Sequence, residues 1–304
     1  MAQARPHRPA AVRLRSRRTP RALLPLALLV LVLIETLVEP RRAHAGGQPP
    51  AEVVAAVTAA YGTGGTIAVV VARQLTADPD VPLRAADARI ARLGAQNADN
   101  GQIAQRPIPS ASMVKLYLAE DVLRRARTGT VVLTPQDREL LARMIRSSDD
   151  PAASAVWVRF DGPRTVRAVA IRYGLTGTSP PVRPGQWGET MTSARDLARF
   201  LTLLPVMAHP DDAAQLMGWM SEATPIAADG FDQRFGLFGT VPDMPAVKQG
   251  WMCCVGGNRH LHSVGVVGHR VVVLLSEVPR TVGYDRARAA LTAAAAALPP
   301  PPRP

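Results

Sequence analysis

Three strand-like runs near the C-terminal end constrain this chain most. Residues 246–252, 260–267 and 269–276 read as strands separated only by short turns at Gly256-Gly257 and Gly268. Connections this short join antiparallel neighbours, because a parallel return needs a crossover of a dozen or more residues. The chain therefore holds an antiparallel meander whose apolar faces must be covered by something else. A further strand, residues 66–71 (TIAVVV), stands far earlier in the chain. Residues 88–95 (ARIARLGA) read as a second early strand, with a helix as the alternative.

Nearly everything between these strands is helical in pattern. Residues 134–146 open on Thr134, with Pro135 at the first helical position and acids in the first turn. Residues 151–160, 163–173, 193–204 and 210–223 follow, Gly174 closing the second of these. A helix over 50–61 precedes the first strand, and an alanine-rich helix over 280–298 follows the last. Residues 97–109 and 175–190 read as loops. Two independently folding domains would need a sheet in each half. One antiparallel sheet flanked by terminal helices, with an all-α lobe inserted between its strands, fits the order: an α+β fold.

The 304 residues carry a net charge of +12, but residues 1–45 supply +7 of it. That segment has an arginine-rich start, an apolar run over 22–34 and an Ala43-His-Ala45 cleavage pattern, and it reads as an export signal. The expectation is a domain over 46–298 followed by a disordered proline-rich tail at 299–304, secreted or held in the cell envelope. The apolar run is short for a membrane span, so an uncleaved anchor is the alternative. No basic run follows Arg42 and aromatics are sparse, which argues against nucleic acid as a partner. No cofactor and no metal are expected, and the chain is read as a monomer without a stable membrane span once the signal is removed. Cys253 and Cys254 are adjacent and are read as buried thiols, a vicinal bridge or intermolecular links. No cysteine lies near the cleavage pattern to carry a lipid.

The candidate chemistry starts at Ser112 and Lys115, three residues apart and so on one helical face. A serine hydroxyl needs a base within reach, and a lysine amine serves when burial and neighbouring cations lower its pKa. Only two of the 36 basic residues are lysines, Lys115 and Lys248. Arginine fills the other positions, so these two mark places where a compact titratable amine is wanted. The alternative is an N-cap serine with a solvated lysine. Ser148-Asp149-Asp150 stands at a helix mouth, where a serine cap and acids at the positive helix end are the competing explanation. Lys248-Gln249-Gly250 falls on a strand. The glycine would permit close backbone approach, or the lysine would only guard a sheet edge.

Together these stretches resemble the penicillin-recognising serine hydrolases, that is, class A β-lactamases and low-molecular-mass DD-peptidases, and most of all the β-lactamase-related proteins of actinobacterial envelopes. Their signature is S-x-x-K, S-x-N and K-[TS]-G in this order. Ser112-Met-Val-Lys115, Arg146-Ser-Ser-Asp-Asp-Pro151 and Val247-Lys-Gln-Gly-Trp251 align with it, and Met191-Thr-Ser-Ala-Arg-Asp196 resembles the helix start after the omega loop. The resemblance implies Ser112 as acylating nucleophile, Lys115 as or beside its base, and Ser148 as proton relay. It implies that Lys248 binds a substrate carboxylate and holds the Lys115 pKa down, and that the backbone N–H groups of Ser112 and Trp251 form an oxyanion hole. Asp150, Gln249, Gly250 and Trp251 would contact substrate. The fold implied is a five-stranded antiparallel sheet with an inserted helical lobe.

The departures shape the functional expectation. Asp150 stands where the family has asparagine, and Gln249 where it has a hydroxyl residue. Only Glu189 lies in the loop that carries the family's deacylating glutamate. The expected function is an exported serine hydrolase forming an acyl-enzyme with an amide or peptide of the cell envelope, weak or slow on β-lactams. The alternative is a decayed relative that binds cell-wall peptides without turnover. His260 and His262 share a strand face but lack a third metal ligand. Arg280 reads as a turn residue.

Overall fold

A computed structural model describes residues 48–75, 97–241 and 245–300. The export signal, the strand expected at 88–95 and the last four residues of the tail lie outside the described residues. These described residues form one compact unit.

Helix α1 (Pro50–Tyr61) leads into β1 (Thr66–Arg73), which pairs with β7 (Arg270–Pro279) along its whole length, Val69 opposite Leu274. β7 pairs with β6 (Asn258–Val267), and β6 with β5 (Ala246–Val255). A two-residue strand, β2 (Ala98–Asp99), caps the other edge, so the sheet runs β2-β1-β7-β6-β5 with every pairing antiparallel. The fifth strand therefore lies in the stretch expected to be loop. Asn100 supports this edge: its side chain accepts from the Val69 N–H and donates to the Ile67 carbonyl, doing for β1 what a longer strand would do.

The central strands are buried on both faces, which is why they read as continuous apolar runs. On one face Ile67, Val69, Val71, Val272 and Leu274 pack against α1 and α10 (Tyr284–Ala296). α10 starts four residues later than expected, because a turn closed by Val282 N–H to the Pro279 carbonyl comes first. Arg280 lies in that turn, exposed. On the other face Ala68, Val70, Val271 and Val273 meet the helical lobe. A one-turn helix, α2 (Gln102–Gln105), precedes the lobe's central helix, α3 (Val114–Arg127), whose first ten residues are all buried.

Around it stand α4 (Pro135–Arg146), α5 (Asp150–Arg159), α6 (Gly162–Tyr173), α7 (Ala194–Met207) and α8 (Pro210–Ser221), and the one-turn α9 (Leu237–Thr240) precedes β5. Thr134 and Asp137 form a reciprocal capping box on α4, and Gly174 ends α6 at φ 64°. α7 runs past Leu204 through Pro205, which sits in the final turn. Arg270 donates to the carbonyls of Pro299 and Pro300, so the first two tail residues dock on the fold.

Candidate active site

The approach to Ser112 is held from three sides. β3 (Ile108–Pro109) pairs with β4 (Met191–Thr192), and the Ser110 N–H donates to the Thr190 carbonyl at 2.7 Å. The ring Nε2 of His262 bonds the Pro109 carbonyl at 2.9 Å. Ala111 then takes φ 47°, a left-handed conformation rare for a residue with a Cβ. A 3-10 turn over Ala111–Met113 follows and feeds α3. No side chain caps this helix start, so the alternative of an N-cap serine does not apply. Ser112 is 4% exposed, and neither its hydroxyl nor its backbone N–H has a partner among the described residues.

Lys115 is fully buried, not solvated. Its Nζ donates to the Ser148 carbonyl at 2.7 Å, to Ser148 Oγ at 3.2 Å and to Asp150 Oδ1 at 2.6 Å. Lys248 is 1% exposed, which excludes an edge-guarding role, and its Nζ bonds Ser148 Oγ at 2.7 Å and the Gln249 carbonyl at 2.8 Å. Both lysines of the chain thus converge on one hydroxyl. Ser148 has φ 50°, and this left-handed turn lets its carbonyl and hydroxyl both face the lysines. The helix cap that competed for Ser148 is supplied by Asp149 instead. Its carboxylate accepts the Ala152 N–H at 2.8 Å and pairs with Arg143. Of the three non-glycine residues with positive φ among the described residues, Ala111 and Ser148 lie here. Strain of this kind, of order 1–3 kcal/mol per residue, persists where surrounding structure enforces it.

Burial lowers the pKa of both lysines. For Lys115 the carboxylate of Asp150 opposes burial and helps retain the proton. Among the described residues Lys248 touches no carboxylate, and it is held well below the ordinary lysine range, by burial first and by the charge of Lys115 second. Lys115 has a counter-ion in Asp150, and Lys248 lies against the charge of Lys115 instead.

Gly250 brings β5 against the nucleophile. A Cβ placed there would lie 3.2 Å from Ser112 N and 2.8 Å from Met113 Cε. The close approach that this glycine permits is that of the Ser112 turn itself. Alternation along β5 sends the side chains of Gln249 and Trp251 to the opposite face from Lys248. Gln249 is 1% exposed and donates to the carbonyls of Gln233 and Phe235, pinning that loop to the strand. The expected Gln249 contact with a substrate carboxylate is not what this geometry offers. Trp251 stacks on Phe231 with ring centroids 4.4 Å apart, and its indole N–H donates to Asp229 at 3.1 Å.

Three residues near the site escaped the sequence reading. Trp187 lies 4.9 Å from Lys115 Nζ, with its ring face to the amine and its indole N–H on Ser154. Asp229 acts on both lysines through its charge and is exposed. Phe231 completes the aromatic pair with Trp251. Their only signal was the unassigned run Asp229-Gly-Phe231 and a lone tryptophan in a loop. Glu189, in that same loop, is paired with Arg183. Among the described residues no group of three His, Cys, Asp or Glu could hold a metal, and Cys253 and Cys254 are joined to each other at the exposed end of β5.

No family model matches the chain. Proteins described as "Putative lipoprotein LppW" from Mycobacterium tuberculosis and Mycobacterium bovis are 39% identical over 196 residues, 62% of this chain. The match spans 61% of the length of those relatives. Solved structures with the same fold include a β-lactamase from Chitinophaga pinensis (TM-score 0.61, 14% identity, 81% of this chain and 97% of that one). They also include an ancestral class A β-lactamase (0.57, 17%, 81% and 98%) and the class A PenP protein of Rhodopseudomonas palustris (0.57, 20%, 82% and 97%). The fold is that of the class A β-lactamases.

Proposed function

We propose that this protein is a serine hydrolase of the cell envelope that forms an acyl-enzyme at Ser112 with an amide or peptide. The observation that carries this reading is the convergence of Lys115 and Lys248 on Ser148 Oγ beside an unpartnered, nearly buried serine. In the proposed sequence Ser112 Oγ attacks the acyl carbonyl, and its proton passes to the lysine–Ser148 set. The Ser148 hydroxyl returns a proton to the departing nitrogen. The free Ser112 N–H, facing Gly250 at the start of a helix, is one oxyanion donor, and the Trp251 N–H is the proposed second. Deacylation is slow in this reading, because Glu189 is engaged with Arg183.

One observation favours the second reading, a binding protein without turnover. Lys115 makes three hydrogen bonds and none goes to Ser112, so Asp150 draws the base away from its nucleophile. The export pattern of residues 1–45 and the description of the mycobacterial relatives as lipoproteins support an envelope location. Among the described residues no helix is long and apolar enough to cross a membrane.

Intact-protein mass after incubation with a penicillin and with an activated ester, wild type beside Ser112→Ala, separates the readings. A stable adduct on wild type alone is the expected result. Rapid drug loss without an adduct means fast deacylation and removes the slow step. Neither adduct nor loss with either reagent leaves the binding protein.

A further inference from the structure

The charged atoms that this cleft offers to a ligand are mostly acidic, and the amines beneath them are closed off. Lys248, which would take a substrate carboxylate, is 1% exposed and spends its Nζ on Ser148 and the Gln249 carbonyl. Gln249 is turned under the strand. Asp150, by contrast, has a side chain 57% exposed, and among the described residues only its Oδ1 is engaged. Asp229 is exposed and its charge reaches both lysines, and the ring face of Trp187 meets Lys115 near Asp150. Carboxylate oxygens next to aromatic faces recognise ammonium groups, which gain both Coulomb and cation–π attraction. The unpartnered hydroxyl of Ser112, 4% exposed, is the independent mark that a ligand belongs in this cleft.

We infer that the cleft selects acyl substrates carrying a protonated amine near the scissile carbonyl and rejects those carrying a carboxylate there, with Asp150 and Asp229 as the discriminating residues. The inference rests on the acyl-enzyme reading for its chemistry, but the charge preference is testable without it. It also implies that the penicillin adduct forms more slowly than the adduct of a cationic ester, because penicillins carry a carboxylate. A carboxylate would instead be drawn to Arg259, whose Nε and Nη1 have no partner among the described residues and whose guanidinium lies over Tyr284.

The test uses p-nitrophenyl esters of 4-(aminomethyl)benzoate, 4-methylbenzoate and 4-(carboxymethyl)benzoate, with Ser112 acylation followed by mass. The expected result is that the cationic ester acylates wild type about tenfold faster than the anionic one, the neutral ester falling between. Asp150→Asn and Asp229→Asn should each shrink that ratio several-fold at low salt. Equal or faster reaction of the anionic ester overturns the inference. If that anionic advantage is lost in Arg259→Gln, carboxylate recognition belongs to Arg259. A cationic preference that survives both asparagine variants overturns the assignment to these aspartates. Binding of the three matching benzamides to Ser112→Ala, measured by calorimetry, separates the two claims. No acylation of wild type by any ester, with the cationic amide still preferred in binding, sinks the acyl-enzyme reading and leaves the charge selection standing. Absence of any charge preference in binding and acylation alike sinks the selection.

Discussion

The hydrogen bonds around His262 dictate its protonation state. The Ser276 N–H donates to Nδ1, so that nitrogen carries the lone pair, and Nε2 carries the hydrogen that reaches the Pro109 carbonyl. Burial, with a smaller effect from neighbouring His260, pushes the ring down to about 3. A depressed folded pKa supports stability above the unfolded value of roughly 6.5 and loses it as pH falls from there toward 3. His260, buried beside Glu277 and likewise lowered, acts in the same direction. Denaturant titrations should therefore show stability falling between pH 6.5 and 4, by at most about 1.4 kcal/mol per pH unit from His262. In His262→Leu that slope should flatten, while stability at pH 7 drops by about 1–3 kcal/mol because two buried partners lose their bonds. Asp150 gives a second prediction of known sign. Its carboxylate raises the Lys115 pKa, so Asp150→Asn should lower it further and free the amine from an ion pair. The pH–rate profile of Ser112 acylation should then move to lower pH, with a higher rate at neutrality; an unmoved profile would separate Lys115 from the rate. The bonds of His262 were not legible in the sequence, which shows two histidines on one strand face without a third metal ligand, and nothing in one dimension shows which carbonyl a ring nitrogen meets.

At the scale of elements, the site is a junction between the edge strand β5 and the turn that opens α3. Gly250→Ala is the direct probe. The methyl group would crowd Ser112 N, a backbone atom that cannot swing aside, as well as the end of the Met113 side chain. Overpacking of this kind costs about 1–3 kcal/mol. The rate of Ser112 acylation should fall by more than that stability loss alone would explain, as mass-detected adduct formation beside a thermal melt would show. The capping box on α4 is a control remote from this junction. Thr134→Ala should cost about 1 kcal/mol without altering acylation. Such boundaries are where sequence reading does well, because a cap is a local device: Thr134, Pro135 and Gly174 all declare themselves. At the start of α5 it left two explanations of Ser148 open, since Ser148 and Asp149 are both good caps by type. Only the left-handed turn at Ser148 decides that Asp149 takes the task and Ser148 faces the lysines.

At the scale of the molecule, strand β1 closes a sheet whose other long members come some 175 residues or more later, so lobe and sheet share one core boundary along α3 and α7. Cooperative loss of structure follows. Tryptophan fluorescence and far-ultraviolet circular dichroism should trace one coincident urea transition, and separated midpoints would mean that the lobe melts by itself. The inserted-lobe architecture was legible because long, strongly patterned segments carry it: the meander, the early TIAVVV run and the helical middle. The sheet's short fifth member was not, because Ala98–Asp99 is two residues long and depends on the Asn100 side chain rather than on pattern. Charge placement within the cleft was equally hidden, since Asp229 and Trp187 reach it from loops.

The burial of Lys115 and Lys248 gives the folded protein an unusual reagent profile. The chain has no other lysine, and these two are 0% and 1% exposed. Amine-directed crosslinkers, acylating dyes and lysine-specific proteases should therefore find almost no side-chain target until the cleft opens. The rate at which either lysine is tagged counts those openings. A compound that seals the cleft should slow tagging whatever reaction follows, so a mixture can be screened for ligands before the chemistry is known.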